Sequence, residues 1–260
     1  MNAYQVPLEL FAAGLASSIF GSMVGLGGGF VLVPILRLVF GLAPAEAAGT
    51  SLALVVANSA SGAFTYFLQK RVHVKIGLLL AAGGLPGSIL GAVAAAHIPA
   101  VAFDWIFAGL LLTVTADIYA NRKRRLAGRV ADDGANLIKG MSYRVALAVG
   151  LGVGFVSSLF GVGGGVIVIP SLLYLSDLPA HVIAATSHFT IFLTSPVGLV
   201  THAAQHDIAL GDVVPLVLGG LIGGPVGARL SRLVSGPRLL ALVCVAMVIA
   251  AGALILHRLV

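Results

Sequence analysis

Two stretches of this 260-residue chain, GLGGGFVLVP at 25–34 and GVGGGVIVIP at 161–170, have residue types that could do chemistry. Three consecutive glycines remove the Cβ barrier to non-helical backbone, so a helix can break there. The proline closing each motif, Pro34 or Pro170, lacks an N–H and suits the first turn or a kink of a restarting helix. A restarting helix exposes unpaired N–H groups at its new N-terminus, where the macrodipole favours an anion. Gly27, Gly28 and Gly29, with Gly163, Gly164 and Gly165, are therefore candidate anion-binding residues through their backbone.

Polar side chains follow each motif at matched distance. Thr50-Ser51 and Thr186-Ser187 are expected to donate hydroxyl hydrogens to bound anion oxygens. The plainer alternative is a bond to a carbonyl one turn back or on a neighbouring helix. His188 stands where the first half has Leu52. A ring titrating near neutrality inside a membrane is a candidate for proton coupling; a neutral imidazole bonded to a neighbouring helix is the alternative. His202 and His206 fall near a loop and are expected at the interface. Asp104 and Asp117, near the ends of their segment, are expected to meet water or headgroups.

The elements that position these residues must lie in a bilayer. The chain is 59% hydrophobic and 9% charged, with mean hydropathy +1.08. A soluble domain carries about 25% charged residues, so too few are present here to cover a water-facing surface. Apolar segments at 8–36, 45–68, 76–96 and 101–120, then 145–175, 182–204, 213–228 and 239–256, match or approach the roughly 17–25 residues of a membrane span. The first is no signal peptide by this reading: residues 1–10 hold Glu9 and no Lys or Arg. The expected class is an all-α polytopic membrane protein.

The glycine motifs, at Gly25 and Gly161, define an offset of 136 residues that holds without a gap well beyond them. Ser59 falls on Ser195, Gly62 on Gly198, Thr65 on Thr201 and Gln69 on Gln205, and GGLPGSILGA falls on GGLIGGPVGA. The chain reads as two homologous repeats, 1–120 and 141–260, joined by a basic cytoplasmic linker at 121–140. Each repeat has a glycine-broken first segment and three further spans. In GGLPGSILGA the four-residue glycine spacing reads best as close helix packing.

Loop charges choose between parallel and inverted repeats. Four crossings per half would put eleven of the fifteen basic residues on the cytoplasmic side. If each broken segment enters and returns, the repeats are inverted and thirteen of the fifteen are cytoplasmic, leaving only Arg37 and Arg258 outside. The inverted arrangement is expected, with both termini outside and 8–40 and 145–175 as re-entrant hairpins or paired short spans. Two breaks would then meet near the midplane, as in several transporter folds.

Other classes find little support. The chain has one cysteine, Cys244, no intramembrane pair of acids and no histidine pair at metal-ligand spacing, so no catalytic residue, metal or cofactor is expected. GLGGGF follows no strand and precedes no Walker lysine. The formal charge of +6 sits in short loops and reports topology, not nucleic-acid binding.

The two glycine motifs with their matched Thr-Ser pairs resemble the TauE/SafE sulfite exporter family of membrane anion transporters, over essentially the whole chain. The resemblance implies secondary transport of small sulfur-containing anions, sulfite or organosulfonates, across the bacterial inner (cytoplasmic) membrane, in the export direction. The expected partners are the oxyanion and the lipid bilayer, and the sequence leaves the oligomeric state open. A passive anion channel, or a carrier of another small anion such as a carboxylate, remains the alternative.

Overall fold

The computed structural model describes residues 5–120, 142–176 and 178–259; the expected linker at 121–140 lies outside them. The described residues form ten α-helices and no strand. In chain order these are α1 (Gln5–Val24), α2 (Gly29–Leu38), α3 (Pro44–Leu68), α4 (Val74–Ala95) and α5 (Ala100–Ala120). After the linker come α6 (Tyr143–Phe160), α7 (Gly165–Leu175), α8 (Ala180–Ala204), α9 (Leu210–Leu230) and α10 (Gly236–Leu259). Eight are long and apolar enough to cross a bilayer; α2 and α7 are short apolar helices. The protein is a multi-pass membrane protein.

Local chemistry sets the boundaries. Pro44 opens α3, where its missing N–H is not needed, and the Ser142 hydroxyl caps α6 by accepting the Val145 N–H at 3.3 Å. The glycine runs fall between α1 and α2 and between α6 and α7. Gly25, Gly27 and Gly28 have φ of 89°, 87° and 83°; Gly161, Gly163 and Gly164 have 70°, 85° and 74°. Left-handed backbone costs a residue with a Cβ about 1–2 kcal/mol, and each break uses it at three of its four residues, 25–28 and 161–164. Pro34 and Pro170 lie past the first turn, as the sixth residue of α2 and of α7.

At each break the chain folds back on itself. A Cβ built on Gly28 would stand 2.7 Å from the Ser17 carbonyl oxygen, and the Phe20 and Phe30 rings lie 6.0 Å apart. Eleven residues of continuous helix would instead span roughly 16 Å. Gly164 approaches the Val153 carbonyl in the same way. α1–α2 and α6–α7 are therefore helical hairpins.

Each hairpin packs on a later helix of the other half. Gly87 and Gly91 of α4 receive the Leu151 and Phe155 carbonyls of α6, so closely that a Cβ would collide. The matched Gly223 and Gly227 of α9 receive Leu15 and Ile19 of α1. Small residues at that spacing let backbones touch, the main source of cohesion between helices in lipid. The apolar centre includes Phe103 and Phe107 of α5 around Phe160 of α6, with Phe107 and Phe160 stacked at 5.0 Å. Leu78, Ile89, Phe64 and Val200 face outward, as suits a lipid-facing surface.

Helix ends gather in two sets. One set joins the start of α1 with the end of α2 and the start of α3, through Leu10, Leu36 and Ala47. Arg37, Asp104 and Arg258 add the start of α5 and the end of α10 to it. The other set joins the end of α5 to the end of α7, through Asp117 and Tyr174, and the end of α3 to the end of α9, through Arg71 and Ser231.

Candidate functional site

The two breaks touch each other. A Cβ on Gly29 would collide with the Gly161 carbonyl, and one on Gly165 would lie 2.5 Å from the Gly25 oxygen. Val55 of α3 and Ile191 of α8, matched residues, flank Gly27 and Gly163. Around this contact, Gly25 and Leu26 both donate to the Gly21 carbonyl, as Gly161 and Val162 do to Ser157. Among the described residues, the N–H groups of Gly27, Gly28, Gly29, Gly163, Gly164 and Gly165 have no hydrogen-bond acceptor. Unpaired N–H groups at a helix N-terminus favour an anion, and lipid offers them no acceptor.

The two Thr-Ser pairs join the halves reciprocally. Ser51 donates to the Gly161 oxygen at 2.8 Å, and Ser187 donates to the Gly25 oxygen at 2.8 Å. Each serine thus satisfies a carbonyl that the end of a helix in the other half leaves unpaired. The threonines serve the flanking loops instead. Thr50 accepts the Ala209 N–H at 2.9 Å, ahead of α9, and Thr186 accepts the His73 N–H at 3.0 Å, ahead of α4. In this conformation the serines sit at the breaks with their protons engaged on carbonyls, and the threonines face elsewhere.

His188 is fully buried in a polar cluster at the first break. Its Nε2 lies 3.1 Å from the Ser22 hydroxyl and 3.4 Å from the Asn58 carbonyl. Ser22 donates to Asn58 Oδ1 at 2.6 Å, Asn58 Nδ2 donates to the Gly27 oxygen at 3.0 Å, and Tyr66 donates to the Ser22 carbonyl at 2.6 Å. The imidazole meets the Tyr66 ring edge-on at 5.8 Å and seals against Gly62. Neither Ser22 nor Tyr66 stands out in the sequence. The signal available was the 136-residue register, in which Tyr66 pairs with His202 and Asn58 with Thr194.

Two placements differ from expectation. Asp104, expected to meet water or headgroups, is only 2% exposed. Arg37 grips it with two hydrogen bonds of 3.1 and 2.9 Å, and Arg258 adds bonds of 2.8 and 2.6 Å. Two guanidinium groups replace the water that a lone carboxylate would demand. His202, expected at the interface, is fully buried: its Nε2 donates to the Ser158 carbonyl at 2.8 Å. Its Nδ1 lies 3.5 Å from an Asp207 oxygen, an ion-pair distance too long for a good hydrogen bond.

Among the described residues, no group of three or more His, Cys, Asp or Glu is arranged to hold a metal. An apolar crevice lies beside the breaks, lined by Leu26, Val114, Val166, Pro170, Ala184 and Met247. Nothing charged lines it, so it offers no hold on an anion.

Comparison with known proteins agrees with this architecture. A profile described as "Sulfite exporter TauE/SafE" matches residues 10–254. "Probable membrane transporter protein YunE" of Bacillus subtilis is 32% identical over 239 residues, covering 86% of this chain and 88% of that protein. "Probable membrane transporter protein MJ0441" of Methanocaldococcus jannaschii is 27% identical over 241 residues, covering 85% and 86%. No solved structure matches the chain. This protein, with its paired glycine breaks between membrane-spanning helices, belongs to the sulfite exporter TauE/SafE family of membrane transporters.

Proposed function

We propose that this transporter is a secondary carrier that exports small sulfur-containing anions, sulfite or organosulfonates, across the bacterial inner membrane. The observation that carries the reading is the pair of facing breaks whose glycine N–H groups lack acceptors. Among the described residues no Lys or Arg hydrogen-bonds to them, so an anion would be held by backbone dipoles and by the Ser51 and Ser187 hydroxyls, once these leave their carbonyls. Such a site binds weakly enough to release its cargo.

The repeats are proposed to be inverted, each hairpin entering and leaving on one side. The gathering of helix ends supports this: Arg37 and Arg258 meet at one end, whereas Arg71 meets the end of α9, which precedes Arg232 and Arg238, at the other. The arginine-rich end is then cytoplasmic. Alternating access would part the breaks first on one side and then on the other, with His188 as the site of proton coupling.

Sulfite flux into proteoliposomes, with and without a pH gradient, tests the proposal. Saturable flux with counterflow, responsive to the gradient, is the expected result. A current that rises without saturation would make the protein a channel. A reporter fused after Val260 should read periplasmic; a cytoplasmic reading would overturn the inverted arrangement.

A further inference from the structure

We propose that Asn58 is a positioning residue for the first break: it fixes the rotation of the Gly27–Gly28 peptide, and with it the direction of one anion-binding N–H. The consequence for transport rests on the carrier reading above; the geometric claim does not. The direction of every bond in the cluster follows from one fixed point. The Gly27 oxygen can only accept, so the atom of Asn58 facing it at 3.0 Å is the amide nitrogen. The other atom, Oδ1, must then accept, and the Ser22 hydroxyl donates to it at 2.6 Å. That hydrogen is now committed, so Ser22 meets His188 Nε2 as an acceptor, and the imidazole carries its proton on Nε2. The Asn58 carbonyl near the same nitrogen requires the same tautomer. The chain therefore runs one way, from His188 through Ser22 and Asn58 to Gly27. The Tyr66 bond to the Ser22 carbonyl steadies its middle.

The peptide at the end of this chain is otherwise loosely held. Gly27 and Gly28 lack the side chains that would restrict them, and both have positive φ. Packing against Gly21 limits where the peptide sits, since a Cβ there would collide with the Gly28 nitrogen. Its rotation is another matter. In a trans peptide the C=O and the following N–H point in opposite directions, so anchoring the Gly27 oxygen aims the Gly28 N–H. The second break has no such anchor. At the position matched to Asn58, Thr194 donates to Thr190 of its own helix at 3.1 Å, and among the described residues no side chain reaches the Gly163 oxygen. His188 Nδ1 has no partner and is fully buried, so the ring can gain a ligand or proton there without losing its Nε2 bond.

The test uses full-length protein in nanodiscs, labelled with 15N on glycine and histidine, beside sulfite flux in proteoliposomes. His188 is expected as the Nε2–H tautomer, which needs no variant to observe. Asn58→Leu keeps the approximate shape and adds no charge but loses the donor; it should shift the Gly28 amide resonance. It should also raise KM about tenfold while maximal flux stays within about twofold, the weight of one buried hydrogen bond to a positioned group. Ser22→Ala should raise KM by about threefold, because Asn58 keeps its donor. Thr194→Val should leave KM unchanged. A His188 proton on Nδ1, an unmoved Gly28 resonance in Asn58→Leu, or an equal KM rise in Thr194→Val would overturn the proposal. Absence of saturable sulfite flux in the unmodified protein would instead fell the carrier reading, and the spectra would still decide the role of Asn58.

Discussion

At the first break Asn58 holds the Gly27 oxygen, braced by Ser22, His188 and Tyr66. At the second, the same four positions carry Thr194, Ser158, Leu52 and His202, and only one bond of the cluster has an equivalent. His202 donates to the Ser158 carbonyl just as Tyr66 donates to that of Ser22. The backbone features, by contrast, are fully shared: three left-handed glycines, a short restarted helix, and a serine from the other half on the last carbonyl. The two halves share what makes the breaks and differ in the polar side chains around them. Whatever the breaks do by geometry they do alike; whatever depends on a side-chain network belongs to the first alone.

The outer ends differ in the same direction. Asp104, Arg37 and Arg258 tie α5, α2 and α10 together, yet the positions matched to Asp104 and Arg37 are Leu240 and Leu173. The first hairpin is therefore held by charges at its base and by Asn58 at its tip. The second places Ile169 and Leu172 in the apolar core and joins Tyr174 to Asp117 by a hydrogen bond.

The comparison can be broken by experiment, starting with the shared part. Replacing Gly28 and Gly164 together with Leu should reduce flux to background while the protein still inserts. Each leucine would be forced into left-handed backbone against a carbonyl of its own hairpin. Full activity would reduce the breaks to packing devices. Next is the unshared ion cluster. Asp104→Asn leaves two guanidinium groups facing each other and should cost about 3 kcal/mol, read as a lower unfolding midpoint in detergent. The smallest effect tests the symmetry itself. Ser51→Ala and Ser187→Ala should each cost about 1 kcal/mol, and by equal amounts, because each leaves one buried carbonyl unpaired at the same distance. Unequal costs would mean the two clips are not equivalent.

Much of the molecule was legible from the chain because it depends on neighbours in sequence. Long apolar runs specify spans, since a bilayer accepts only backbone that pairs with itself. Consecutive glycines specify where a span can break, because the barrier to left-handed backbone lies in the residue's own Cβ. The 136-residue register specified which residues would play matched parts. Even the packing role of Gly87 and Gly91 could be read from their spacing. What the hydroxyls and charges touch could not. Ser51 finds its carbonyl 110 residues away, His188 finds Ser22 across 166, and Asp104 finds Arg258 across 154. Asp104 and His202 look like interfacial residues in the sequence because each stands near the end of an apolar run. They are buried because other helix ends close over them and supply arginines or a carbonyl. The tertiary structure alone decided those partners, since a polar group's environment is set by whatever element packs against it, and hydropathy along one segment carries no record of that.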